Sequence, residues 1–166
     1  MLMMSRQTTD EIIAGQEAAV KYIPIDEPIS AFMQILPSVD GDDITEQPFN
    51  LFSKGDFAQV PIIIGTVSEE AVLYINMGWP NPVLRAEYMA VVKLVFRDNA
   101  TEILDLYPPI EGPDADQRPN MFALGTDYVF TCPNRYVARN LAAHTNTYRY
   151  VFDHAFSFPA WGDHYD

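Results

Sequence analysis

The sequence predicts an α/β domain built on a parallel sheet, with few strands and several helices. Three observations lead there. The run QVPIII, residues 59–64, is continuously apolar and rich in β-branched isoleucine, the mark of a strand covered on both faces. The segment TYRYVFDH, residues 147–154, alternates and is rich in aromatic and β-branched residues, which reads as a second strand. Between them lie segments with apolar residues at helical spacing, and strand, helices, strand is the order that produces parallel pairing through a crossover.

Taken in order, the first element is a short N-terminal helix. Thr8 with Glu11 three residues later forms a capping box, and Ile12, Ile13, Gln16 and Val20 follow at helical spacing until YIPIDEP ends the element. Residues Pro24 to Gly55 read as a loop-rich segment with six acids, in which SVDGDD is a turn. A calcium loop is not expected in DGDDITE, because its glycine falls at the second position rather than the sixth. The first strand follows, with Gly65 as its exit. Pro82 then suits the first turn of a helix carrying Leu84, Tyr88, Val91, Val92 and Val95. A second helix, NATEILDLY, stops at Pro108-Pro109. After the polar loop IEGPDADQRPN come one helix around MFALGTDYVF and another, PNRYVARNLAAH, opened by Pro133 and closed near His144. Two strands for so many helices make a sheet with unfilled edges, so the chain looks like part of a larger sheet.

Composition narrows the function classes. The chain has 166 residues, 48% apolar and 20% charged, enough to bury a core and unlike a disordered segment. Its 23 acids against 10 bases give a net charge of -13, which phosphate backbones repel, so nucleic acid is not an expected partner. No apolar run reaches the length of a membrane span. The start, MLMMSRQTTDEII, lacks the basic and apolar regions of a secretory signal, so the sequence as given carries no export instruction and leaves the location unassigned. A lone cysteine, Cys132, excludes an internal disulfide and a cysteine-rich zinc site. Its ordinary reading is a small buried apolar residue; the alternative is a disulfide to a residue outside the chain.

The chemistry-bearing feature is the acid pair Glu69-Glu70 in IIIGTVSEEAVLYI, wedged between an apolar strand and an apolar segment. Spacing alone leaves two readings: a carboxylate held for chemistry, or acids at the N-terminus of a helix starting at Ser68. The surrounding motifs carry a resemblance. SVDGDDITEQPFNLFSKGDFAQVPIIIGTVSEEAVLY, DYVFTCPNRYVARNLA and TYRYVFDHAFSFPAWG are similar, in the same order, to segments of the type-B carboxylesterases, the cholinesterase and carboxylesterase group. The likeness is collinear over about Ser5 to Asp166. It implies a partial α/β-hydrolase fold, a single incomplete domain over residues 1–166, with Glu70 as the acid of a Ser-His-Glu triad and Glu69 in the place of the preceding aspartate. The family's glycine after the acid is Ala71 here, which is tolerated only if the position does not require positive φ. Family members are often secreted, and in many of them the cysteine of the CP motif bonds to one near the C-terminus, a pairing the resemblance extends to Cys132.

The other triad parts are not expected in this chain. None of the six serines, Ser5, Ser30, Ser38, Ser53, Ser68 and Ser157, sits in a G-x-S-x-G elbow, and the eight glycines are all isolated, so no H-G-G oxyanion loop exists. His154 matches a noncatalytic family histidine, His144 ends a helix, and His164 lacks the glycine that follows the family's base. A triad of Glu70, His154 and Ser157 lacks a strained turn and oxyanion donors, and a zinc site of histidines with Asp153 and Asp163 lacks helical ligand spacing. The resemblance therefore implies a portion of a carboxylic-ester hydrolase that acts through an acyl-serine, needs no cofactor or metal, and is inactive alone. Its expected partners are a small-molecule ester in the complete enzyme and the missing N- and C-terminal segments of the same fold. The rival reading is a noncatalytic interaction or scaffold module of the same family.

Overall fold

The computed structural model describes residues 7–19 and 37–154. Val20, the YIPIDEP segment, Ser157, Asp163 and His164 lie outside those residues. The chain divides into two compact units, Met1–Thr45 and Glu46–Asp166. In the first, helix α1 spans Thr9–Ala19 and opens on the expected capping box: the Thr8 amide donates to Glu11 Oε2 at 2.7 Å and the Glu11 amide to Thr8 Oγ1 at 3.3 Å. The SVDGDD turn closes on Asp40, whose carboxylate accepts from the amides of Asp42 and Ile44, each at 3.0 Å.

The second unit begins with a helix the sequence reading missed. Pro48–Lys54 forms α2 inside the segment read as loop. Pro48 supplies a first-turn residue that needs no amide partner, and Gly55, at φ 76, supplies the left-handed stop. Strand β1, Ile62–Val67, pairs in parallel with β2, Thr147–Phe152, from Ile62 opposite Thr147 to Val67 opposite Phe152. Gly65 is therefore inside the strand and not its exit. Its place in the register explains the glycine: it faces Tyr150, whose ring would lie 2.5 Å from an added Cβ.

Helices α3 (Val72–Gly78), α4 (Arg85–Phe96), α5 (Ala100–Leu106), α6 (Arg118–Gly125) and α7 (Cys132–Ala142) fill the connection between the strands. Pro82 does not open α4. An extended Leu84 precedes the first helical residue, Arg85, and the Val83 amide is taken by Asp116 Oδ1 at 3.0 Å. Between α4 and α5 a single 3₁₀ turn, Arg97–Asn99, bends the chain. The two helices expected around residues 121–144 are one continuous rod, joined through a π-helical turn at Thr126–Thr131. Pro133 lies in this rod, without an amide hydrogen and with a ring that crowds the carbonyl four residues back. A widened turn immediately before it relieves both problems.

The core of this unit is helical. Val83, Tyr88, Val92, Ala100, Met121 and Leu124 are buried together, with Trp79, Val91, Phe96 and Tyr107 packed around them. Two buried polar side chains in or beside this cluster are paired. Tyr88 donates to the Tyr107 carbonyl at 2.8 Å. Gln117, fully buried, accepts from the Ile110 amide at 2.8 Å and donates to the carbonyls of Ile110 and Ala115. That one side chain organises the polar loop before α6. Helix α7 packs on both strands, burying Ala138 and Leu141, whereas the sheet face bearing Ile63, Tyr148, Tyr150 and Phe152 is open, with Ile63 at 75% exposure. The strand expected to be covered on both faces is covered on one by the described residues. The arrangement, mixed helix with a small parallel sheet, is consistent with a partial α/β-hydrolase fold.

Candidate active site

The acid pair sits where β1 leaves the sheet. After Val67 the backbone turns through Ser68–Ala71 and enters α3 at Val72. Both acids precede this helix, and its first turn contains none, so in place of the helix start at Ser68 that the alternative reading required there is a turn. The two carboxylates differ. Glu69 is exposed, and its main-chain carbonyl accepts from the Val72 amide at 3.3 Å. Glu70 is half-buried, and its Oε1 accepts from the Val67 amide at 2.9 Å. The bond ties the side chain back to the end of the strand. Among the described residues Oε2 takes no hydrogen bond, so one oxygen fixes the carboxylate and the other remains to accept from a further donor.

Ala71 adopts φ -80 and ψ -12. The position does not use positive φ, so the Cβ costs nothing in the backbone, as the tolerance of alanine there required. Ala71 is buried, and its amide donates to Thr126 Oγ1 at 3.0 Å across 55 residues of sequence. Its Cβ would stand 2.9 Å from a Cβ at Gly125, so glycine there is what lets α6 approach the acid turn. Upstream, Asn134 Nδ2 donates to the Gly65 carbonyl at 3.2 Å. Thr66 Oγ1 is buried with no partner among the described residues. Gly125, Thr126 and Asn134 escaped the sequence reading. The available signal was a Gly-Thr pair interrupting a helical apolar pattern eight residues before Pro133-Asn134.

The remaining sequence candidates are not assembled around Glu70. No hydrogen bond or ion pair among the described residues joins Glu70 to a histidine. His144 lies just beyond α7 with its ring edge-on to Phe57, 5.9 Å between centroids, and His154 has its ring 6.2 Å from that of Phe152. No group of three metal-ligating side chains occurs among the described residues, and none of their helices is long and apolar enough to cross a membrane. Cys132 is exposed at the start of α7, which corrects its reading as a buried apolar residue: it sits on the outer side of a rod whose buried stripe runs through Ala138 and Leu141.

Comparison with known proteins agrees with the motifs. A family model described as "Carboxylesterase family" matches residues 1–165. The "cAMP-regulated D2 protein" of Dictyostelium discoideum is 38% identical over 149 residues, covering 87% of this chain and 28% of the relative. The "Crystal protein" of the same organism is 36% identical over 131 residues, 78% of this chain and 24% of the relative. An "Acetylcholinesterase" of Bungarus fasciatus is 28% identical over 145 residues, 76% and 23%. The chain thus spans about a quarter of the length of these curated relatives.

Proposed function

The chain belongs to the carboxylesterase family, and from that premise we propose that residues 1–166 are one incomplete domain of a carboxylic-ester hydrolase, supplying Glu70 as the acid of a Ser-His-Glu triad. The observation that carries this reading is the Val67 amide on Glu70 Oε1 at 2.9 Å. A triad acid must hold one oxygen steady while the other accepts from the imidazole N–H, fixing the tautomer and stabilising the imidazolium formed as serine attacks. Serine Oγ would add to the ester carbonyl carbon, its proton passing to the histidine and from there to the departing alcohol. Water would then release the acid from the acyl-serine by the same route. Serine, histidine and oxyanion donors come from segments other than these 166 residues, so this chain alone turns over no ester. Steady-state hydrolysis of nitrophenyl butyrate by the purified chain, abolished by Ser157→Ala, would overturn that statement.

The role of Glu70 is tested with the chain joined to serine- and histidine-bearing segments of its own gene. Glu70→Gln can keep its carbonyl on the Val67 amide, but it turns an NH₂ toward the imidazole N–H, donor against donor. We expect kcat to fall by about 10⁴, the size seen for the amide replacement in serine proteases, with little change in KM. Glu69→Gln removes only a nearby exposed charge and costs at most about tenfold. Near-normal turnover in Glu70→Gln would sink the assignment.

A second reading has its own support. The relatives at 38% and 36% identity carry names that state no reaction, which favours a noncatalytic interaction or scaffold role. The genomic DNA on either side discriminates: if it holds no in-frame G-x-S-x-G elbow, the scaffold reading replaces the hydrolase.

A further inference from the structure

We infer that the π-helical turn Thr126–Thr131 is a positioning device, setting Thr126 and Asn134 on one face of the α6–α7 rod so that together they clamp the chain on both sides of Glu70, at Gly65 within β1 and at Ala71 where the turn ends. The two contacts bracket the acid. Asn134 Nδ2 holds the Gly65 carbonyl at 3.2 Å, inside β1, and Thr126 Oγ1 holds the Ala71 amide at 3.0 Å, directly after Glu70. Between these anchors the Glu70 carboxylate closes on the Val67 amide. The strand end, the acid and the start of α3 are thus fixed to a single rigid element.

The register depends on the widened turn. Thr126 and Asn134 are eight residues apart, and in an uninterrupted α-helix of 3.6 residues per turn they would differ by about 80° around the axis. A π-turn absorbs one additional residue, which brings eight residues close to two full turns and leaves a difference of about 20°. The two side chains then point to the same side, toward the turn after β1. The device is held from behind. Asp127, within the π-turn, accepts from the Tyr107 hydroxyl at 2.7 Å, and Tyr107 packs on the helical core. Gly125 completes it, since a Cβ there would lie 2.9 Å from that of Ala71 and push the rod away from the turn.

The clamp is a feature of this chain; its catalytic consequence rests on Glu70 being the triad acid. Hydrogen exchange separates the two. In the 166-residue chain the Ala71 amide should be protected, and Thr126→Val, which keeps shape but removes the acceptor, should speed its exchange by at least about tenfold more than that of the Tyr88 amide, which reports the helical core. Thr126→Ser should restore protection. In the joined enzyme, Thr126→Val should lower kcat with KM unchanged, again restored by serine. Equal acceleration at Ala71 and Tyr88, no protection at Ala71 in the parent chain, or failure of serine to rescue would overturn the clamp. Local acceleration with serine rescue, in an enzyme that Glu70→Gln leaves active, would uphold the clamp and remove the triad role.

Discussion

The helical cluster and the two-stranded sheet of the second unit solve the burial problem differently. Around Tyr88 the chain supplies every layer itself: α4, α5 and α6 bring Val92, Ala100, Met121 and Leu124 together, and Val83, Tyr88 and Val92 are essentially inaccessible. In the sheet, α7 covers one face, and the other presents Ile63, Tyr148, Tyr150 and Phe152, with Tyr148 at 62% exposure. Among the described residues neither strand pairs with a third, which leaves each outer edge open to a further strand. The cluster is enclosed on its own, whereas the described residues leave one face of the sheet uncovered. Glu70 stands at the boundary. Its strand belongs to the sheet, but its turn is fastened by Thr126 to the rod that contributes Met121 and Leu124 to the core.

The strongest way to break this contrast is at the core. Tyr88→Ala removes a fully buried ring and its bond to the Tyr107 carbonyl, and we expect a loss of about 3–5 kcal/mol in urea unfolding. Tyr88→Phe, losing the hydroxyl alone, should cost about 1 kcal/mol. If the alanine variant were as stable as the parent, the helical cluster would not be the stabilising half.

A smaller effect lies behind the acid turn, at Tyr107. Burial, with the hydrogen bond to Asp127 adding to it, pushes the Tyr107 hydroxyl up to about 12 from 10. Because the folded value is the higher one, this contribution is complete below pH 10 and is lost as pH climbs from there toward 12. Tyr107→Phe should cost about 1 kcal/mol at neutral pH and flatten the alkaline decline in stability over that window. An unchanged slope would mean that other groups set it.

The smallest effect should come from the open face. Ile63→Ser is expected to change the stability of this chain by no more than about 0.5 kcal/mol, because the side chain buries little. In the protein joined to its flanking segments the same substitution should cost about 2 kcal/mol, the scale of losing one buried aliphatic side chain. Equal small effects in both settings would show that nothing covers this face.

Whatever is encoded within a few residues could be read before any packing was known. The Thr8–Glu11 capping box, the Asp40 turn, the strand at Ile62, the stop at Pro108 and the second strand at Tyr148 each rest on a local stereochemical rule, and each stands in the structure. Even α2 was locally signalled by Pro48 and Gly55, though the surrounding acids and prolines hid it. The motif around Glu70 is also local, but spacing alone left two readings of it and the family resemblance singled out Glu70. Packing settled the rest: how the Glu70 carboxylate is fastened, that Ala71 takes an ordinary helical φ, that Gly125 must lack a side chain, and that Pro133 sits in a continuous rod with a π-turn before it. The contacts that hold this turn to the rod join groups far apart in sequence, 55 residues between Ala71 and Thr126 and 69 between Gly65 and Asn134. A hydrogen bond over such a separation leaves no periodicity to read, because its geometry exists only once the packed core has set the distance between strand and rod.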